Sequence, residues 1–231
     1  MKWTYLLVNF FSVLVPLLFS FHPKLRFDRN FGAFFKANLI VALVFLVWDA
    51  VFTQIGVWGF NDAYILGWRV QQLPFEEILF FICIPFACLF TYHCLNRFYR
   101  IRWRESTERT VVYLLAIGLA VVGFIHSDKW YTYVSFVSTA ILLLLLKFVA
   151  KVKWLPRILA IYPVLLIPFF IVNGILTGTG LEAPVVWYND QENLGIRMHT
   201  IPVEDIFYGL ELILLNLYFY EKWVPSVSRV S

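Results

Sequence analysis

Long runs of apolar residues alternate with short polar segments along the whole chain. Seven of these runs are close to the roughly 20 residues that an α-helix needs to cross a bilayer. They predict transmembrane helices at about 3–21, 36–56, 74–95, 110–126, 130–150, 156–177 and 202–221. The predicted fold class is therefore an all-α polytopic membrane protein with seven spans.

A short pattern of polar residues occurs twice and divides the chain into two halves. The segments Leu73–Ile78 and Ile201–Ile206 each place a proline and two acids at the start of a long apolar run, 128 residues apart. The same offset pairs Tyr5 with Tyr133, Asn61 with Asn189, Asp62 with Asp190, Arg69 with Arg197, Phe80 with Tyr208, and Tyr92 with Tyr220. So many matches at one spacing indicate an internal duplication.

The duplication predicts how the chain is organised. Residues 1–98 form a first three-helix repeat, 99–128 a linker helix, and 129–231 a second three-helix repeat. Because one extra crossing separates the repeats, they run in the same direction and are related by a pseudo-twofold axis along the membrane normal. Both proline–carboxylate motifs are then expected at one membrane face, each at the start of its helix.

Composition and charge agree with this membrane arrangement. The 231-residue chain is 61% hydrophobic and only 15% charged, and its mean hydropathy is +0.74. Of its 19 lysine and arginine residues, 15 fall in the loops after spans 1, 3 and 5 or in the C-terminal tail. The positive-inside rule therefore places the N-terminus outside and the C-terminus in the cytoplasm. A pI near 8.9 that arises from such loops does not indicate nucleic-acid binding.

The duplicated acids are the candidate catalytic residues: Glu76 and Glu77 in the first repeat, Glu204 and Asp205 in the second. A helix start alone can explain one such motif, because proline and acids both suit the first turn. The duplication in register, with two acids each time, favours a function. Adjacent helix residues point about 100° apart, so we expect one acid of each pair to face a shared cavity. We expect Glu76 and Glu204 to be that inward pair.

Further candidates surround these acids. Tyr208 and Glu211 follow Glu204 at i+4 and i+7, which places the three on one helix face and turns Glu211 toward the bundle interior. Asp49 is an ionisable residue inside the second span, and Phe80 is the counterpart of Tyr208. Aromatic faces of this kind stabilise a cation in a dry site.

Arg69 and Arg197 each precede a motif proline by five residues. One interpretation is that they pair with Glu77 and Asp205. Anchoring to lipid phosphate is the alternative.

Several chemistries lack their motifs. The four histidines are scattered singly, which argues against a di-iron membrane hydroxylase, ketolase or desaturase. No glycine-rich nucleotide-binding motif is present, and span 7 has no internal lysine for a retinal Schiff base. Cys83, Cys88 and Cys94 lie on one predicted helix, spaced for neither disulfides nor zinc. Carboxylate chemistry or ion conduction remains.

At these residues the sequence resembles the fused form of the heterodimeric-type lycopene cyclases, which are membrane enzymes of carotenoid synthesis. The resemblance covers the whole chain. It rests on Pro74-Phe75-Glu76-Glu77 and Pro202-Val203-Glu204-Asp205, which match the family signature Pro-x-Glu-(Glu/Asp), and on two repeats joined by an extra helix.

The resemblance implies an isomerase, or intramolecular lyase, that forms beta-ionone rings. Its lipophilic substrate is a linear C40 carotenoid that enters from membrane lipid; no nucleic-acid partner is implied. An acid protonates the terminal double bond, the carbocation closes a six-membered ring, and a base removes a ring proton. No cofactor is readable from the sequence, and a reduced flavin at a site without a motif stays open. The alternatives are a C50 or single-end cyclase, an ion-coupled small-molecule transporter, and a structural membrane subunit.

Overall fold

A computed structural model describes residues 1–99 and 103–224. Within these ranges the chain forms seven long helices: α1 (Thr4–Ser20), α2 (Phe31–Gln54), α3 (Phe75–Phe98), α4 (Glu105–Ile125), α5 (Trp130–Leu144), α6 (Leu155–Leu176) and α7 (Glu204–Trp223). Each coincides with a predicted apolar run, so the all-α prediction is confirmed. Arg100, Arg102 and Arg229, which contribute to the predicted charge asymmetry, lie outside the described residues.

Five of these helices are long and apolar enough to cross a membrane. They are α2 with the 3-10 turn Phe27–Asn30 before it, α3, α4, α5 with the π-helical turn Leu145–Val149 after it, and α6. Helix α1 is apolar but has 17 residues, and α7 carries several charged residues within its 20. Large apolar side chains such as Phe11, Leu114 and Ile167 are exposed on the outer helix faces. These are the features of an integral membrane protein.

The loops before α3 and α7 contain short strands that the sequence did not predict. The first loop holds β1 (Trp58–Phe60), β2 (Arg69–Val70) and β3 (Leu73–Pro74); the second holds β4 (Val186–Tyr188), β5 (Arg197–Met198) and β6 (Ile201–Pro202). β2 pairs antiparallel with β3, and β5 with β6, so that a hairpin leads into each helix. β1 pairs antiparallel with β4 and joins the two loops.

The β1–β4 pair is built from equivalent groups of the two loops. Gly59 lies opposite its own counterpart, Trp187, in the strand register. The amide of Asn61 donates to the carbonyl of Val185, and the amide of Asn189 donates to the carbonyl of Val57, both at 2.9 Å. Positions 57 and 61 are each 128 residues before their counterparts. The two loops therefore bind each other through the same backbone contacts.

Two large clusters of buried residues stabilise the bundle. One lies at the helix ends away from the strands and includes Phe27, Leu89 and Ile158. The other lies beneath the strand pair and includes Tyr5 and Tyr131. Helix α4 packs outside α5, and the ion pair between its buried Glu108 and Lys147 fixes it there.

Candidate active site

A cavity of about 300 Å³ lies beneath the β1–β4 pair, with walls from α1, α3, α6 and α7. From Glu77 to Thr91 its lining follows α3 for roughly 20 Å, at about 1.5 Å per residue. Most of the wall is aromatic or aliphatic, and three carboxyl groups, those of Asp49, Glu77 and Asp205, lie at the loop end. An elongated apolar space with acids at one end suits a long hydrocarbon that reacts at its terminus.

Glu77 lies in the first turn of α3 and is largely buried, with 7% of its surface exposed. Its Oε2 accepts a hydrogen bond from the hydroxyl of Tyr5 on α1. Asp205 is the equivalent residue of α7, and both of its oxygens accept hydrogen bonds. Tyr131 donates to Oδ1 at 2.5 Å, and Tyr188 donates to Oδ2 at 3.0 Å.

The hydroxyl of Tyr188 remains protonated beside this acid. Burial, together with the charge of Asp205, raises the pKa of Tyr188 well above its usual value. Tyr188 belongs to β4, so a strand of the loop reaches into the cavity and holds Asp205.

Asp49 on α2 is the third acid of the cavity and accepts a hydrogen bond from the indole of Trp58 at 2.5 Å. Trp58 lies opposite Tyr188 in the strand register, so the same strand pair supplies donors to Asp49 and Asp205. The positions 128 residues later are Thr177 and Val186, which cannot form this contact. Asp49 thus lies in the cavity wall, and it makes the two halves chemically different.

Glu76 and Glu204 are not lining residues of the cavity, so the expectation that they form the inward pair is wrong. Glu76 Oε1 accepts from the amide of Leu66 at 2.7 Å, and Glu204 Oε1 accepts from the amide of Leu194 at 2.8 Å. Thr132 also donates to Glu204, at 2.6 Å. Each carboxyl satisfies an amide of the preceding loop, and this turns its neighbour, Glu77 or Asp205, toward the cavity.

Arg69 and Arg197 do not bind Glu77 or Asp205, so the first of the two interpretations is wrong. Each guanidinium binds an aspartate earlier in its loop and a carbonyl of the hairpin turn: Arg69 contacts Asp62 (2.8 Å) and Gln72 (2.6 Å), and Arg197 contacts Asp190 (2.5 Å) and Thr200 (2.9 Å). These contacts close the hairpins before α3 and α7. Anchoring to lipid phosphate stays a prediction.

The predicted polar face of α7 divides between two surfaces. Tyr208 lines the cavity, as does its counterpart Phe80. Glu211 is buried, as predicted, but it lies outside the cavity lining. Its Oε2 accepts from Ser138 at 2.6 Å and from Thr139 at 3.3 Å, both on α5.

Sequence reasoning missed the tyrosines that donate to the cavity acids. The amide of Tyr5 donates to the carbonyl of Tyr64, and the amide of Tyr131 donates to the carbonyl of Glu192, the counterpart of residue 64. Tyr5 therefore corresponds to Tyr131, an offset of 126, and the predicted match with Tyr133 is wrong. The second repeat holds two more residues between these points, which a comparison at one fixed offset does not show. Across the described ranges, no group of three or more His, Cys, Asp or Glu side chains could hold a metal ion.

Comparison with known proteins gives two matches. The family model described as "Lycopene cyclase" matches residues 2–95 and 128–223. A stretch of 109 residues is 24% identical to the bifunctional lycopene cyclase/phytoene synthase of Aspergillus oryzae, covering 44% of this chain and 18% of that protein. The match thus spans less than a fifth of that relative's length. No solved structure matches the chain.

Proposed function

The chain belongs to the lycopene cyclase family, and on that premise we propose that it closes beta-ionone rings on a linear C40 polyene within the membrane. One observation carries the proposal. The duplicated motifs bring two matching acids, Glu77 and Asp205, to the same end of a long apolar cavity. Both acids lie within the segments that match the family.

The reaction proposed for this cavity is an isomerisation. One carboxyl group adds its proton to the terminal double bond, and the internal double bond attacks the resulting cation to close a six-membered ring. A carboxylate then removes a ring proton, so that one proton enters and one leaves and no redox equivalent is consumed. The aromatic rings of Trp58, Tyr188 and Tyr208 line the space in which the cation forms and stabilise it. The remaining apolar wall excludes water that would capture the cation.

The other predicted site residues hold the structure around Glu77 and Asp205. We propose that Glu76 and Glu204 hold the loops, that Arg69 and Arg197 brace the hairpins, and that Glu211 joins α7 to α5. The mostly apolar lining suits a lipophilic substrate that arrives from lipid.

We also propose that all seven helices cross the membrane, as two parallel repeats in one fused chain. Residues 1–98, 99–128 and 129–231 would form the first repeat, the linker and the second repeat. The reciprocal hydrogen bonds of the β1–β4 pair support a twofold relation between the repeats. The excess of basic residues in the loops after spans 1, 3 and 5 supports a cytoplasmic C-terminus and an external N-terminus.

An ion-coupled transporter is the alternative from another class. That function predicts helices broken at corresponding positions of the two halves. Pro163 and Pro168 lie inside α6, whereas its counterpart α2 has no proline and runs unbroken from Phe31 to Gln54. This difference favours the enzyme.

The test is pigment chromatography of a lycopene-accumulating bacterial host that expresses the chain. We expect one- or two-ringed products from the wild type, and loss of those products in Glu77→Gln and Asp205→Asn variants that still reach the membrane. Glu211→Gln is the matched control, because it changes a buried acid outside the cavity and should keep the product. Unchanged lycopene beside membrane-inserted wild-type protein would exclude this substrate and direct the test to C50 polyenes.

A further inference from the structure

The two matching acids of the cavity receive different numbers of hydrogen bonds. Resting on the proposed cyclase function, we infer that this difference assigns the catalytic roles: Glu77 is the proton donor and Asp205 is the proton acceptor. The repeats are related by duplication, so the assignment depends on the few side chains that differ between them.

The surroundings of Asp205 stabilise its negatively charged form. Two phenol hydroxyls, those of Tyr131 and Tyr188, donate to its two oxygens, and hydrogen bonds to the charged form favour that form. The guanidinium of Arg197 lies over the ring of Tyr188, 5.9 Å from its centroid, and adds positive charge on the same side. A carboxylate supported in this way can accept a proton from the substrate.

The surroundings of Glu77 favour its protonated form. Its Oε2 receives one hydrogen bond, from Tyr5, and no side chain or backbone group of residues 1–99 and 103–224 donates to its Oε1. Glu77 lines the cavity, so Oε1 can present a proton to the substrate. The two further acids at this end, Asp49 and Asp205, oppose a negative charge on Glu77, because nearby carboxylates disfavour each other's ionisation.

Asp49 does not take the donor role as readily as Glu77. Asp49 Oδ1 accepts from the indole of Trp58, as Glu77 Oε2 accepts from Tyr5. The second oxygen of Asp49, Oδ2, is fully buried without a partner among the described residues, so a substrate in the cavity cannot reach it as it can reach Glu77 Oε1. Asp49 lies on α2, which otherwise takes no part in the cavity wall.

Tyr188 is the residue that makes the hydrogen bonding of Asp205 differ from that of Glu77. Tyr5 and Tyr131 are counterparts and give each catalytic acid one phenol. The counterpart of Tyr188 is Phe60, which lines the cavity but has no hydroxyl. The structure thus assigns to Tyr188 a positioning role: it stabilises Asp205 as the anion and does not itself transfer the proton.

The proposed reaction adds one proton to the substrate and removes one. Glu77 gives its proton to the terminal double bond, the ring bond forms, and Asp205 takes a proton from the ring carbon. Glu77 is then ionised and Asp205 is protonated. Before the next turnover Asp205 releases its proton to water and Glu77 takes one from water, so no other reagent is consumed.

Deuterium labelling separates the two roles. Membranes that hold the full chain are incubated with lycopene in D₂O, and mass spectrometry measures deuterium in the recovered linear and cyclic polyenes. The wild type should add one deuterium for each ring. Glu77→Gln should give neither rings nor label. Asp205→Asn should lose most ring product, by 100-fold or more on the order of an essential acid–base group, and still label the linear polyene, because the cation forms and then loses a light proton.

The assignment is supported if Asp205→Asn labels the linear polyene and Glu77→Gln does not. Label in Glu77→Gln overturns it, and so does absence of label in membrane-inserted Asp205→Asn. A wild type that makes no rings contradicts the cyclase function itself, which is a separate result. If Asp205→Asn does not accumulate, Tyr188→Phe replaces it: the ratio of labelled linear polyene to ring product should rise several-fold, and an unchanged ratio overturns the assignment. Phe60→Tyr is the matched control and should not raise that ratio.

Discussion

Two adjacent acids perform different tasks in each repeat because their side chains leave the helix in different directions. Glu77 and Asp205 face the cavity, while Glu76 and Glu204 accept hydrogen bonds from the loop amides of Leu66 and Leu194. A carboxyl group in the first helical turn is well placed for either task. The loop amides that bind Glu76 and Glu204 leave Glu77 and Asp205 to face the cavity.

We propose that Glu204 stabilises the fold and takes no part in the chemistry. We expect Glu204→Ala to lower the free energy of unfolding by about 1–3 kcal/mol, because the amide of Leu194 and the hydroxyl of the buried Thr132 lose their acceptor. Thermal unfolding in detergent measures this loss. Ring formation per folded molecule should stay close to the wild-type value, in contrast to Glu77→Gln. Loss of all ring product in well-folded Glu204→Ala protein would contradict this proposal and show that Glu204 is needed for the reaction.

The sequence predicted which residues form the site better than it predicted their orientation. Spacing alone identified the four motif acids, and helical periodicity grouped Glu204 with Tyr208 and Glu211. In the structure Tyr208 lies at the boundary between two faces, so it lines the cavity while Glu204 and Glu211 contact α5. The spacing of three residues on one helix face does not show whether that face contacts another helix or the cavity.

At the scale of elements, the β1–β4 pair organises the cavity from above. It carries Trp58, which binds Asp49, and Tyr188, which binds Asp205. Its centre is the Gly59–Trp187 position, where a side chain on residue 59 would collide with the indole ring of Trp187. Glycine is therefore required for close approach at this point.

Gly59→Ala should disturb both hydrogen-bond donors of the strand pair, Trp58 and Tyr188, at once. The added methyl group displaces Trp187 or separates the strands, and overpacking of this kind costs about 1–3 kcal/mol. We expect lower thermal stability and several-fold less ring product in the host assay. The control is Gly118→Ala on α4, where an added Cβ meets no atom within 4 Å; it should keep full activity. A Gly59→Ala variant with wild-type activity would show that the strand pair does not position the acids.

The strands themselves could not be predicted from the sequence. Each has two or three residues, too few for an alternating pattern to be visible. The hairpin turns place Gln71 and His199 at positive φ, 56° and 61°. These positions lack the glycine or asparagine that normally marks such a turn. The aromatic residues nearby instead indicated an interfacial belt.

At the scale of the whole molecule, the sequence predicted the helices well because each is a long apolar run bounded by charges or prolines. Their number and order follow from these runs alone. The cavity could not be predicted, because it depends on contacts between distant helices such as α1 and α6. The orientation in the membrane is a prediction from charge.

Reporter fusions test this orientation. Seven crossings would place the two termini on opposite sides, and from the basic loops we expect the C-terminus in the cytoplasm. A fluorescent protein that folds only in the cytoplasm should therefore fluoresce when fused after Ser231. A phosphatase that is active only outside should be active when fused before Met1 behind its own export signal. A C-terminal fusion that does not fluoresce, together with an active N-terminal phosphatase, would place both termini outside and exclude an odd number of crossings.

The β1–β4 pair has a consequence for how many polypeptides the enzyme needs. Backbone hydrogen bonds hold the two loops together, so their recognition does not depend on covalent continuity through α4. Two separately translated pieces, residues 1–99 and 103–231, should therefore find each other in the membrane and restore ring formation when both are expressed, while either alone stays inactive. Gly59→Ala in the first piece should weaken this complementation more than it weakens the intact chain, because in the divided protein the strand pair must bring the two pieces together without a covalent connection.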